Sequence, residues 1–190
     1  MTDSSLKPLT KTRLVNISID HFVKFGYGSA PLSKIAEEAG LNKSSIYHHF
    51  ESKIDIAKYI LKYLEGYYEK NLFFIVKKHG ISDEGRVEEF IQALKEMLVD
   101  IRLAIIPIFM LENIPELNQQ VHCHKERWVL TMKLLLSPLY TSYLAEKLSR
   151  NAWNLIIGAC MEARAESSEH HEYFASEFEA SLKRMWLSEV

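Results

Sequence analysis

The stretch from Leu32 to Phe50, LSKIAEEAGLNKSSIYHHF, decides how this chain is read. Ile35, Leu41, Ile46 and Phe50 recur at spacings that put them on the inner faces of two short helices. Gly40 allows the sharp turn between them, and Ala36 is small where they cross. Pro31 suits the first position of the leading helix, and Asn42 suits the N-cap of the second. With the apolar residues facing inward, Lys43, Ser44, Ser45, Tyr47, His48 and His49 are left on the outside. That set is short, polar and rich in hydrogen-bond donors, as base edges and phosphates require, and the two-helix unit from Pro31 to Phe50 has the geometry of a helix-turn-helix.

Working outward, a preceding helix is expected from Leu9 to Phe25, burying Leu14, Ile17, Phe22 and Phe25 and ending at Gly26. On the other side Ser52 caps a long fourth helix reaching Lys78 and closed by His79-Gly80. Lys53 falls in its first turn, where backbone N–H groups and the helix dipole favour an anion; a lysine there adds charge to a ready phosphate site.

Period-two alternation is absent and helical spacing continues to the end. A helix opens at Ser82 or Asp83, Pro107 breaks or kinks the pattern, and Pro115 starts a helix that ends at Ser137-Pro138. Two more helices follow, from about Thr141 to Glu166 and from Ser168 to Leu187. The expected fold class is all-α, with about nine helices. Residues 1–53 form a three-helix head with the helix-turn-helix, and residues 54–190 form a larger ligand-binding and dimerisation body.

Composition agrees. The chain has 190 residues, 47% of them hydrophobic and 25% charged, enough for a sizeable core. The net charge of −2 is unevenly spread, with seven Lys/Arg against five acids in residues 1–53 and 16 against 20 in the rest, so the basic end holds the motif. Cys123 and Cys160 suggest neither a disulfide framework nor a zinc finger, and a reducing cytoplasm fits. No signal-like segment precedes the first helix, and the longest apolar run, Leu103 to Leu111, is too short to span a bilayer. Nothing forms a catalytic constellation. No cofactor is implied, and the consecutive His122, Cys123 and His124 cannot all face one metal ion on a helix.

Gly26-Tyr27, Ile35-Ala36, Ala39-Gly40-Leu41, Ile46-Tyr47-His48-His49-Phe50 and Ser52-Lys53 together resemble the DNA-binding domain of TetR-family repressors, over about residues 11–60. The resemblance implies that Lys43, Ser44, Ser45 and His48 probe bases of double-stranded operator DNA, while Tyr47, His49 and Lys53 hold phosphates. Two positions depart from the pattern. Ala30 stands where many relatives carry a capping Thr or Ser, and Ser44 replaces a frequent Gly or Pro.

One such head contacts too few bases for useful specificity, so a homodimer is expected. Its interface is placed on about residues 141–187, with Leu144, Leu148, Leu155, Ile156, Ala159 and Ala163 on one helix and Phe174, Phe178, Leu182 and Met185 on the other. Tyr63, Tyr67, Phe74, Phe109, Met110, Trp128, Met132 and Trp153 are candidates to line an apolar pocket for a hydrophobic effector, with His124, Glu112 and Arg127 to orient it. The expectation is a transcriptional repressor, not an enzyme, in which effector binding moves the fourth helix. Two rivals stay open: a regulator with a fully packed body and no effector, and a helical enzyme or carrier that keeps the two-helix unit as packing.

Overall fold

The computed structural model describes residues 6–98, 100, 104–165 and 171–187. These form nine α-helices and one 3-10 segment, with no strand among the described residues. The head comprises α1 (Leu6–Phe25), α2 (Leu32–Glu38) and α3 (Lys43–Ile46). The body comprises α4 (Lys53–Asn71), a 3-10 segment (Phe73–Lys77), α5 (Asp83–Leu98), α6 (Ile105–Leu111), α7 (Asn118–Leu136), α8 (Ser142–Ala165) and α9 (His171–Leu187).

In the head, Leu14, Val15, Phe22, Ile35, Ala36, Ile46 and Phe50 are buried together. Gly26 ends α1 at φ +83°, its N–H donating to Phe22 O at 2.9 Å. Gly40 ends α2 at φ +70°, and the Leu41 N–H reaches back to Ala36 O at 2.8 Å, the six-residue closure that a left-handed residue permits. Asn42 then caps α3, its Oδ1 accepting the Ser45 N–H at 2.8 Å. Pro31 sits one position earlier than expected, as the extended N-cap of α2. Phe25 is not buried: it is 48% exposed and packs at the surface beneath His21 and Lys24.

The body departs from the sequence reading at two helix ends. Helix α4 stops at Asn71, because the five apolar residues Leu72 to Val76 cannot share one face of an α-helix. The tighter 3-10 turn buries Leu72, Phe73 and Ile75 and leaves Phe74 outside. Pro107 does not break a helix. It is the third residue of α6, in the first turn, where a missing N–H costs nothing.

Helix α8 packs along α7, and α9 along α5. Lys95 of α5 joins Glu179 of α9 at 2.6 Å, and Trp186 is fully buried against Phe90. Of the ten expected interface residues, Leu148, Ile156, Ala159, Phe178 and Leu182 are spent on the protomer's own core. Leu144, Leu155 and Met185 remain half-buried, and the side chains of Ala163 and Phe174 lie outside the described residues.

Candidate nucleic-acid interface

Helix α3 is a single turn, continued by a turn through His49 whose N–H donates to Ile46 O at 2.8 Å. Ile46 and Phe50 anchor it, and Phe50 lies edge-on to Tyr59 of α4 at 5.5 Å. With the inward face occupied, Lys43, Ser44, Tyr47 and His48 are exposed and Ser45 and His49 half-exposed, all on one short surface. Tyr47 is 48% exposed. The hydroxyls of Ser44 and Ser45 both donate to Asn42 Oδ1, at 2.5 and 2.9 Å, so the capping residue also holds two of the candidate base-reading groups.

Lys53 opens α4 and is engaged within the protein. Its Nζ donates to Gly28 O at 3.1 Å and stands 4.8 Å from the centroid of the Tyr27 ring. Burial lowers its pKa, and the nearby Glu112 works against that. The lysine therefore ties the start of α4 to the turn between α1 and α2.

That turn is held from the other side by the body. Glu112, which caps the end of α6, accepts the N–H groups of Tyr27 and Gly28, each at 2.7 Å. Two glycines make room: a Cβ at Gly26 would stand 2.6 Å from Glu112 Oε1, and one at Gly28 3.3 Å from Oε2. Phe109, three residues before Glu112 in α6, packs edge-on to Phe22 at 6.3 Å and Tyr27 at 5.9 Å. Glu112 was a candidate to orient a ligand; it holds the head instead. No local sequence signal marks this role, since its partners lie 84 and 85 positions away.

The body holds a small cavity of about 20 Å³, lined by Tyr68, Ile106, Pro107, His124, Trp128, Trp153 and Cys160 among others. Of the expected pocket residues, His124, Trp128 and Trp153 meet there. Tyr63, Tyr67, Phe74 and Met110 are at the surface, Phe109 is at the head–body junction, and Met132 is buried without lining the cavity. Arg127 is exposed and pairs with Glu69. His122 and Cys123 face outward while His124 faces inward. Among the described residues no group of three or more His, Cys, Asp or Glu could hold a metal ion, and no helix is long and apolar enough to cross a membrane.

Comparison with known proteins gives a consistent result. Residues 18–60 match the N-terminal domain of the bacterial regulatory proteins of the tetR family. The chain is 24% identical over 116 residues to the biofilm operon icaADBC HTH-type negative transcriptional regulator IcaR of Staphylococcus epidermidis, a match covering 60% of each chain. It is 28% identical over 107 residues to IcaR of Staphylococcus aureus strain Newman, covering 56% of this chain and 55% of that one. The matched stretch thus spans less than two thirds of these relatives. Among solved structures, a TetR-family transcriptional regulator from Streptomyces coelicolor superposes with a TM-score of 0.77 at 15% identity, over 94% of this chain and 95% of that one. FadR from Bacillus subtilis, solved in complex with stearoyl-CoA, superposes with a TM-score of 0.71 at 16% identity, over 93% and 97%. At such identities the two structures speak to the fold. Residues 18–60 thus match the N-terminal domain of tetR-family regulatory proteins, and the described residues share the fold of TetR-family regulators.

Proposed function

We propose that the protein is a homodimeric repressor that reads operator DNA with Lys43, Ser44, Ser45, Tyr47, His48 and His49 and is released by a small molecule entering the body. Residues 1–53 act as the reading head and residues 54–190 as the sensing and dimerising body. The repressor assignment draws on the negative regulators to which the chain is similar. Dimerisation through residues 141–187 draws on the outward-facing Tyr143 and Tyr173 and the half-buried Leu144, Leu155 and Met185, with Gly158 open to close helix approach.

One observation carries the regulated reading: helix α6 touches both ends of the mechanism. Ile106 and Pro107 line the cavity, and less than two turns later Phe109 and Glu112 grip the α1–α2 turn. A ligand that displaces Ile106 and Pro107 would drag that turn and, through Lys53 on Gly28 O, the start of α4. In a dimer this changes the separation of two reading heads that must meet half-sites about 34 Å apart. The coupling works in both directions, because operator and effector favour different poses of the same element.

The test is operator affinity, by fluorescence anisotropy, of wild type and Glu112→Gln. The account expects at least a threefold change in Kd with no loss of helical content; equal affinities would sink the α6 coupling. A second reading, a regulator without an effector, is favoured by the cavity's size, since about 20 Å³ holds little more than one water. Operator affinity that no cavity ligand shifts would establish it.

A further inference from the structure

The cavity in the body is mostly apolar, and two of the residues that line it, His124 and Trp128, carry unsatisfied polar atoms. His124 is 2% exposed, yet neither Nδ1 nor Nε2 has a hydrogen-bond partner. Trp128 Nε1, buried one helical turn further along α7, has none either. Most buried polar groups in folded proteins are paired, and leaving one unpaired costs about 1–3 kcal/mol, so three such atoms around one cavity need a reason. Apart from Cys160, the remaining walls are aromatic and aliphatic: Tyr68 lies edge-on to Trp128 at 4.9 Å and to His124 at 5.4 Å, and Trp153 lies 6.0 Å from Trp128.

From this we infer that the body binds a neutral, compact aromatic molecule carrying one hydroxyl group, a phenol in chemical class, whose oxygen engages His124 and Trp128. The inference rests on the proposal that the cavity is the effector site. The chemistry follows from the wall. A neutral imidazole offers one donor and one acceptor, and an indole one donor, so the complementary group both accepts and donates; a hydroxyl does both with one atom. No Lys, Arg, Asp or Glu lines the cavity, so a charged ligand would lose its hydration with nothing to replace it. The edge-on aromatic walls suit a flat ring.

His124 is also in the right state. Burial, assisted by the positive charge of Arg127, lowers its pKa to about 4, which leaves the ring neutral at physiological pH. The Cys160 thiol in the same wall is pushed up to about 12 by burial, so it adds no charge either. In the described state the cavity is smaller than a phenol ring. Binding therefore selects an opened state of the body, and the free energy of opening weakens the observed affinity.

The experiment is done on the full chain without DNA, at pH 7.5, following quenching of tryptophan fluorescence and the thermal midpoint. Three probes of similar size are titrated: phenol, toluene and benzoate. Phenol should quench saturably and raise the midpoint, toluene should bind at least tenfold more weakly, and benzoate should not bind. In His124→Phe the preference for phenol over toluene should fall below threefold; Trp128→Phe, which removes the indole N–H and keeps a ring, should reduce it in part. Toluene binding as tightly as phenol, benzoate binding, no saturable effect of phenol, or a preference that survives His124→Phe would each overturn the assignment. If His124→Phe does not fold, the wild-type ranking of the probes decides alone. Because no DNA is present, these outcomes are independent of the operator measurements: phenol binding that leaves operator affinity unchanged would retain the ligand class and remove the effector role.

Discussion

Glu112 closes helix α6 with its carboxylate 2.7 Å from the backbone nitrogens of both Tyr27 and Gly28, so the last turn of a body helix forms the seat of the reading head. The arrangement uses a charged acceptor on two otherwise orphaned turn amides, and such bonds are stronger than neutral ones. Glu112→Ala should cost about 1–2 kcal/mol in urea unfolding, most of it in the attachment of the head rather than in the body core. Hydrogen exchange should show the amides of Tyr27 and Gly28 losing protection while those of α7 and α8 keep theirs.

Gly26 tests the same contact from the opposite side. At φ +83° an alanine is strained, and its Cβ would also stand 2.6 Å from Glu112 Oε1. Gly40 has φ +70° but nothing within 4 Å of a Cβ, so Gly40→Ala isolates the backbone strain of about 1 kcal/mol. Gly26→Ala should therefore destabilise more than Gly40→Ala. In a Glu112→Ala background the two should become equal, and a persistent excess would mean that the carboxylate is not what Gly26 accommodates.

Acid should weaken the body before it titrates the carboxylate pairs. His124 has a folded pKa of about 4 against an ordinary 6.5, so between these values the unfolded chain binds the extra proton. Its contribution is complete above pH 6.5 and is lost as pH falls towards 4, about 3 kcal/mol over the full window. Glu146 and Glu179 are held below the ordinary 4.5 by Lys133 and Arg150, and by Lys183 and Lys95, so their contributions disappear only at lower pH. Stability measured at pH 7.5 and 5.0 should fall in wild type and fall less in His124→Phe.

On the reading surface, Tyr47→Ala should weaken operator binding at least tenfold with little change in stability, because the ring is half-exposed and spends nothing on the core. Asn42→Ala should cost about 1 kcal/mol by removing the α3 cap and should also alter base preference, since Asn42 Oδ1 holds Ser44 and Ser45. Urea unfolding and a base-by-base substitution of the operator check the two effects separately.

The head was legible because its signals are local. Gly40, Asn42 and Ser52 each act on a backbone within four residues, and the spacing of Ile35, Ile46 and Phe50 has few other solutions. The structure assigns the same caps. Pattern failed where tertiary context decides. Leu72 to Val76 read as more helix, but which of them are buried depends on α5 and α7 packing behind them. Phe25 carries the right spacing for the core and lies one turn past its edge. Tyr63, Tyr67 and Phe74 have the composition of a pocket wall and face outward, whereas Tyr68, one residue on, is buried at the cavity. Lys53 and Glu112 were legible as polar groups and not as a pair, because only the fold brings residues 28, 53 and 112 together.

The central claim is sequence-specific DNA recognition by the α3 surface, and the most direct measurement is enrichment of genomic DNA fragments by the purified protein at physiological salt. The control is Lys43→Ala/Tyr47→Ala; Lys53 is left intact because its bond to Gly28 O supports the head itself. The account predicts that wild type enriches a palindromic site and the control does not. Enrichment of no site by wild type, or of the same site by both proteins, would contradict it.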